Sequence, residues 1–128
     1  MGLLSNIFTW WDGATIGTSW YSLRKGKSVG EDVFGNKYYE LRKPGEGESR
    51  RWVIYEGYAD ASKVAPEWHG WLHRTWEHPP TEVEVKRKAW EQPHLANMTG
   101  TADAYAPAGS LRQAKPKPRA DYEAWSPE

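Results

Sequence analysis

After Pro80 the apolar side chains of this chain stop recurring, and that break limits where a core can form. Before it, apolar residues come in runs and periods. Beyond it they come singly, as Trp90, Leu95, Tyr105, Leu111 and Trp125, between prolines, glycines and charges. Each ordered residue costs on the order of 1–2 kcal/mol of backbone entropy. Isolated anchors do not offset that cost over so long a stretch unless something covers them. Three parts are therefore predicted: an N-terminal amphipathic helix over 1–12, a small β-domain with a following helix over 13–80, and an extended tail over 81–128 that is disordered or wraps a partner.

The apolar inventory points the same way. The chain carries nine Trp and seven Tyr against two Phe, and aliphatic residues are few. Trp and Tyr combine an apolar body with a polar edge and are enriched at protein interfaces. A small domain built from them has a thin core and a sticky surface. The charges balance, 17 basic against 17 acidic, which argues against a general nucleic-acid binder and against a polybasic membrane anchor. With no cysteine, disulfides and thiolate metal sites are excluded. No apolar run approaches the length of a membrane-spanning helix. The opening MGLLSNIFTWW lacks the basic start and small-residue cleavage site of a secretory signal, and Asn6 stands where the myristoylation pattern wants Ser or Thr.

Along the chain, Leu3, Leu4, Ile7, Phe8 and Trp11 follow a helical stripe. A helix this short is marginal alone, so it is expected to dock on its own domain, a partner groove or a membrane surface. From Thr15 to Tyr55 the pattern reads as β. TSWYSL, SVGED, KYYELR and RRWVIYEG are candidate strands, with RKGK and VFGN as turns and KPGEGES as a loop. The fold class is α+β: an antiparallel meander of three to four strands, an N-terminal helix, one aromatic helix after the sheet and a long extended C-terminal segment. Pro66 suits the first turn of that last helix, and Pro79-Pro80 would stop it. On a helical wheel Trp68, Trp71, Leu72, Thr75 and Trp76 share one side. Glu67, Gly70, Arg74 and Glu77 lie opposite, with His69 and His73 on the border.

Chemistry finds little support. His69 and His73 have the spacing of two zinc ligands on one helix face, but Gly70 stands where the metalloprotease pattern needs its glutamate. No nucleophile elbow and no glycine-rich phosphate loop occur. Trp20, Tyr38, Tyr39, Trp52 and Tyr55 could stack single-stranded nucleic acid, yet Glu31, Asp32, Glu40 and Glu56 sit beside them. The expectation is a protein without catalytic, metal or cofactor site that docks through its aromatics. The partner-facing residues are Trp10, Trp11, Trp68, His69, Trp71, His73, Trp76, Trp90 and Tyr105. Burying one Trp contributes on the order of 2–3 kcal/mol, so a few anchors suffice.

The segments VGEDVFGNKYYE, RRWVIYEG, PEWHGWLH, PHLANMTGT and APAGSL occur in this order. Together they resemble the accessory-subunit family of respiratory complex I (NADH:ubiquinone oxidoreductase) known as NADH dehydrogenase alpha-subcomplex subunit twelve. The opening FTWWDGATIGT is similar to its alphaproteobacterial members. The resemblance covers roughly Phe8 to Leu111 and leaves Arg112 to Glu128 without support. Its motif positions here are Gly35, Asn36, Tyr38, Tyr39, Arg51, Trp52, Tyr55, Pro66, Trp68, His69, Trp71, Leu72 and His73, with Ala65 where relatives often carry a second proline. The resemblance implies a non-catalytic subunit without flavin, iron–sulfur cluster or quinone. It implies a place on the hydrophilic arm near the membrane, against subunits of the quinone-binding module. A related assembly factor is the alternative within the family; a single-stranded nucleic-acid-binding module is the alternative from another class. The implied location is the bacterial inner membrane, peripheral on the cytoplasmic side, or the matrix side of the mitochondrial inner membrane.

Overall fold

Three short antiparallel strands form the centre of the structure. β1 (Gly26–Glu31), β2 (Lys37–Leu41) and β3 (Arg51–Ile54) lie in sequence order as a meander. The computed structural model describes residues 3–8, 13–43, 45, 47–112 and 125–127. Ahead of the sheet come α1 (Leu3–Phe8) and α2 (Ile16–Lys25); after it come a 3-10 turn at Ala61–Lys63 and α3 (Pro66–Leu72). The expected α+β meander, with helices before and after it, is the fold observed.

The pleat places Tyr38 and Val53 opposite each other on one sheet face, and Tyr39 and Trp52 on the other. The Tyr38 face carries the core. Tyr38 is fully buried and stacks on Trp68 with ring centroids 4.0 Å apart and planes within 4°. Trp71, 1% exposed, meets Tyr38 edge-on at 6.4 Å and Trp68 edge-on at 5.7 Å. Val64 and Ala65 close this cluster, with Val29, Val53, Tyr55 and Leu72 packed around it. Such aromatic pairs contribute about 0.5–1.5 kcal/mol each beyond the area they bury. Gly30 on β1 admits the Trp68 ring: a Cβ there would lie 2.9 Å from Trp68 Cη2 and 2.8 Å from Thr81 Cγ2.

The β1–β2 turn is organised by one carboxylate. Asp32 Oδ1 accepts from the backbone N–H of Phe34 (2.9 Å) and of Asn36 (3.0 Å), while Oδ2 accepts from Asn36 Nδ2 (2.9 Å) and the Tyr38 hydroxyl (2.8 Å). Gly35 takes φ +86° in this turn, a left-handed conformation natural to glycine. Asn36 is itself fully buried. Its Oδ1 accepts from the Glu56 N–H (3.1 Å) and its Nδ2 also donates to the Lys63 carbonyl (3.3 Å), so it ties the turn to the chain after β3 and to the approach of α3.

Two sequence expectations change. TSWYSL is not a strand; it lies within α2. The Thr15 side chain caps that helix by accepting from the Thr18 N–H. Ser22, buried, accepts from Trp52 Nε1 (2.9 Å) and donates to the Thr18 carbonyl (2.9 Å). Tyr21 leans on Trp52. Docking against Trp52 on the second sheet face overrides the β preference of Thr, Trp and Tyr, which is a weak local term. RKGK is correspondingly no turn: helix passes into strand at Gly26, where a Cβ would meet the Ser22 carbonyl at 2.5 Å.

The second change concerns α3, which ends at Leu72 rather than at Pro79. Arg74 adopts φ +60°. The Arg74 N–H donates to the Trp71 carbonyl (3.2 Å) and the Thr75 N–H to the Gly70 carbonyl (2.9 Å). This is a Schellman termination with arginine in the position glycine usually takes.

The contact pattern divides the chain between Ala96 and Asn97. From Thr81 to Ala96 the chain has neither helix nor strand, yet it is tied to its own domain. Thr81 Oγ1 donates to the Val29 carbonyl (3.5 Å), Arg87 pairs with Glu67, and His94 Nε2 bonds the Ser62 carbonyl (2.7 Å) with its ring edge-on to Phe34. In the second unit, turns at Met98–Thr101 and Pro107–Ser110 are joined by Arg112 Nη2 donating to the Thr101 carbonyl (3.2 Å).

Burial first, then the hydrogen bond to Asp32, holds the Tyr38 phenol well above its ordinary value of 10.0. Burial and then the Asp60 charge raise Tyr55 as well. A phenol whose folded value exceeds its unfolded one contributes stability that is whole below the unfolded pKa and is lost as pH rises past it. The urea midpoint is therefore expected to hold to about pH 9 and fall steadily above about pH 10. In Tyr38→Phe the alkaline loss should shrink, although the neutral-pH midpoint drops because Asp32 loses a donor. A flat wild-type profile to about pH 11 would contradict the assignment.

Candidate docking surface

The fold divides the aromatics of α3 and the turn after it between two uses. Pro66 opens the helix, where its missing N–H costs nothing. Trp68 and Trp71 then point to the sheet and Glu67 and His69 away from it. Trp68 is 5% exposed. These two tryptophans, expected at a partner interface, are covered by Tyr38 and by each other. A sheet this short has few aliphatic residues for a core, so the helix tryptophans fill it.

Trp76 was expected on the Trp68 side. It lies instead against Gly70, on the side assigned to polar residues. The Schellman reversal brings the chain back, with the Trp76 N–H donating to the Gly70 carbonyl (3.2 Å). The ring then occupies the space a side chain at position 70 would fill, since a Cβ there would be 2.6 Å from Trp76 Cε3. Gly70 is thus a seat for an aromatic ring, the sequence signal that could have placed Trp76.

Arg51 fixes this arrangement from β3. Its Nη1 donates to the carbonyls of Trp71 (2.8 Å) and Trp76 (3.1 Å), and its Nη2 to that of Glu77 (3.0 Å). The planar guanidinium thus ties the last turn of α3 to the carbonyls of the chain that returns past it. Its carbon lies 4.9 Å from the Trp71 ring centre, a cation–π contact. Arg51 Nε is buried without a hydrogen bond; it faces Glu40 Oε1 at 3.6 Å, close enough for charge pairing only. Arg74, beyond the helix, pairs with Glu48 (3.0 Å) and donates to the Ser49 carbonyl.

One open cleft, of about 580 Å³, lies on the outer side of α3, where Trp76 and Trp90 are joined by Glu67, Arg87 and His94. Both tryptophans are exposed, as are His69 and His73, whose rings stack at 4.1 Å. Among the described residues no group of three or more His, Asp or Glu side chains could hold a metal ion. Tyr105 is exposed in the second unit. Trp10 and Trp11 lie outside the described residues. The aromatics considered for stacking nucleic acid do not form one platform: Tyr38 is buried, Trp52 is held between Tyr21 and Tyr39, and Trp20 projects from α2.

The family whose sequence profile matches the chain is described as NADH ubiquinone oxidoreductase subunit NDUFA12, and the match runs over residues 26–127. It includes the C-terminal stretch that the motifs alone left uncovered and excludes the helices before β1. A Dictyostelium discoideum protein named NADH dehydrogenase (ubiquinone) 1 alpha subcomplex subunit 12 is 39% identical over 101 residues, 76% of this chain and 72% of its own. Its Bos taurus namesake is 41% identical over 101 residues, 71% of this chain and 69% of its own. An uncharacterized protein of Rickettsia prowazekii is 41% identical over 66 residues, 50% of this chain and 64% of its own.

Two substitutions test how the cleft is built. Gly70→Ala should displace the Trp76 ring and cost about 1–3 kcal/mol by overpacking, read as a lowered urea midpoint with altered tryptophan fluorescence. Arg51→Met should cost more, about 2–4 kcal/mol, because the Trp71, Trp76 and Glu77 carbonyls and Glu40 lose a partner together. An unchanged midpoint in Arg51→Met would remove Arg51 from this role.

Proposed function

This chain belongs to the NDUFA12 family of NADH ubiquinone oxidoreductase subunits, and from that premise we propose how it serves the complex. It is a non-catalytic accessory subunit of complex I, and other complex I subunits are its partners. It associates with the respiratory membrane, and among its described residues no helix is long and apolar enough to cross a bilayer. The finer reading is that it stabilises the hydrophilic arm near the quinone-binding module, peripheral on the cytoplasmic side of a bacterial inner membrane. The contact is made through the Trp76–Trp90 cleft with His69 and His73 beside it, and through Tyr105 in the second unit.

The observation that carries this reading is the division of the tryptophans. The core consumes Trp68 and Trp71, whereas Trp76 and Trp90 stay exposed in one cleft. Exposed Trp in a concave, partly polar setting is the usual anchor of an interface. The cleft walls carry Glu67 and Arg87, an ion pair that can frame a polar rim.

Complex I purified in detergent from cells that make this protein should contain it in equimolar amount. Recovery only with immature assembly intermediates would assign the assembly-factor role instead. Trp90→Ala should leave the isolated domain's stability within about 0.5 kcal/mol but reduce retention in the complex by tenfold or more, the usual loss at an interface anchor. Full retention of Trp90→Ala together with Trp76→Ala would place the contact elsewhere.

A further inference from the structure

The neutral total charge conceals a segregation that the strand register makes visible. Gly26 pairs with Leu41, the Arg42 N–H donates to the Lys25 carbonyl (2.8 Å), and the Leu41 N–H donates to the Arg50 carbonyl (2.9 Å). The start of β1, the end of β2 and the start of β3 therefore meet at one end of the sheet. The exposed residues Arg24, Lys25, Lys27, Arg42, Lys43 and Arg50 gather there. Nearby acids are engaged: Glu40 faces Arg51 and Glu48 pairs with Arg74. From Gly13 to Gly30 the sequence contains no acidic residue. The opposite end of the sheet is mixed rather than basic: Glu31 pairs with Lys37, next to Asp32 and Glu56.

Directly beside the basic end runs α2. Its inner side is fixed by Tyr21 and Ser22 on Trp52. Its outer side therefore carries Ile16, Trp20 and Leu23, at the i, i+4, i+7 spacing of one stripe. Trp20 is 65% and Leu23 76% exposed. An apolar helical stripe containing Trp, bordered by lysine and arginine, is the arrangement of an interfacial helix that lies in the headgroup region of a bilayer.

We infer that the outer face of α2 and the basic end of the sheet form a lipid-docking surface for an anionic phospholipid bilayer. Trp20 and Leu23 enter the headgroup region while Arg24, with Lys25 and Lys43 at the sheet end, meets the anionic headgroups. The charge selects the partner: a neutral bilayer would leave the basic cluster uncompensated, and a nucleic acid would leave the helical stripe in water. The helical part of this surface lies outside the part of the chain that matches the family, which begins at residue 26. The inference deepens the peripheral-membrane reading, and its test needs no other subunit.

The full chain is mixed with vesicles of phosphatidylglycerol and phosphatidylcholine, or of phosphatidylcholine alone, and bound protein is measured by flotation at low and high salt. Binding is expected only to the anionic vesicles and should weaken with salt. Arg24→Gln, Lys25→Gln and Lys43→Gln together should weaken it about 100-fold, at roughly 1 kcal/mol for each charge. Trp20→Ala with Leu23→Ser should weaken it tenfold or more. Lys86→Gln with Lys88→Gln, outside the patch, should not change it. Circular dichroism establishes that each variant is folded. Absence of binding to anionic vesicles overturns the inference, as does equal binding by the charge variant, or tighter salt-sensitive binding to single-stranded RNA. Presence of the protein in purified complex I is measured separately, so loss of the lipid surface and loss of the subunit assignment are distinct results.

Discussion

The Asp32 carboxylate is the point from which the rest of the structure can be built. It fixes the β1–β2 turn through the Phe34 and Asn36 N–H groups, and it orients the Asn36 amide and the Tyr38 hydroxyl. Once Asn36 is oriented, its amide reaches Glu56 and Lys63, which sets the path of the chain from β3 to α3. Once Tyr38 is oriented, its ring is the flat surface on which Trp68 lies. A buried polar group costs free energy unless every donor and acceptor is met. Here the polar knot and the aromatic stack are two sides of the same residue, so loss of either leaves the other without a reference.

Arg51 is the second fixed point, and it does at the far end of α3 what Asn36 does before the helix begins. A helix of seven residues has little stability of its own. Its start is held by the packing of Val64 and Ala65 and its end by a guanidinium on β3. Trp76 and Glu77, already past the helix, are held by the same guanidinium. The exposed cleft thus rests on a buried strand residue, which explains how a surface aromatic beyond a helix end keeps a defined position. The isolated anchors after Ala96 have no such support among the described residues.

Much of this was legible in the sequence, and the misreadings share a cause. β2 and β3 stood out as short runs of β-prone residues, Tyr38-Tyr39 and Trp52 through Tyr55, and the turn was marked by Gly35-Asn36. Pro66 marked the start of α3. What local pattern could not supply was which element a side chain would meet. TSWYSL has strand composition and becomes helix because Trp52, thirty positions away from Ser22, accepts it as one. HRT, between Leu72 and Trp76, has no glycine to announce a helix end, yet Arg74 takes the left-handed conformation because Arg51 and the Trp76 seat on Gly70 fix the reversal. The wheel projection placed Trp68 and Trp71 on a shared side correctly, but which side would be covered by the chain itself depended on Tyr38. Net charge failed in a similar way: equal totals say nothing of the two ends of a sheet.

The thinness of the core gives docking a further consequence. A domain of this size buries a limited share of its surface, and this one builds its interior from two tryptophans and a tyrosine with few aliphatic residues around them. Its stability rests on a handful of contacts, each of which involves a residue that also positions the surface. A partner that covers Trp76 and Trp90 binds only the folded form, so it stabilises the fold by mass action in proportion to its affinity. On the proposed docking, a partner would therefore supply from outside part of the stability that a larger aliphatic core would otherwise have provided.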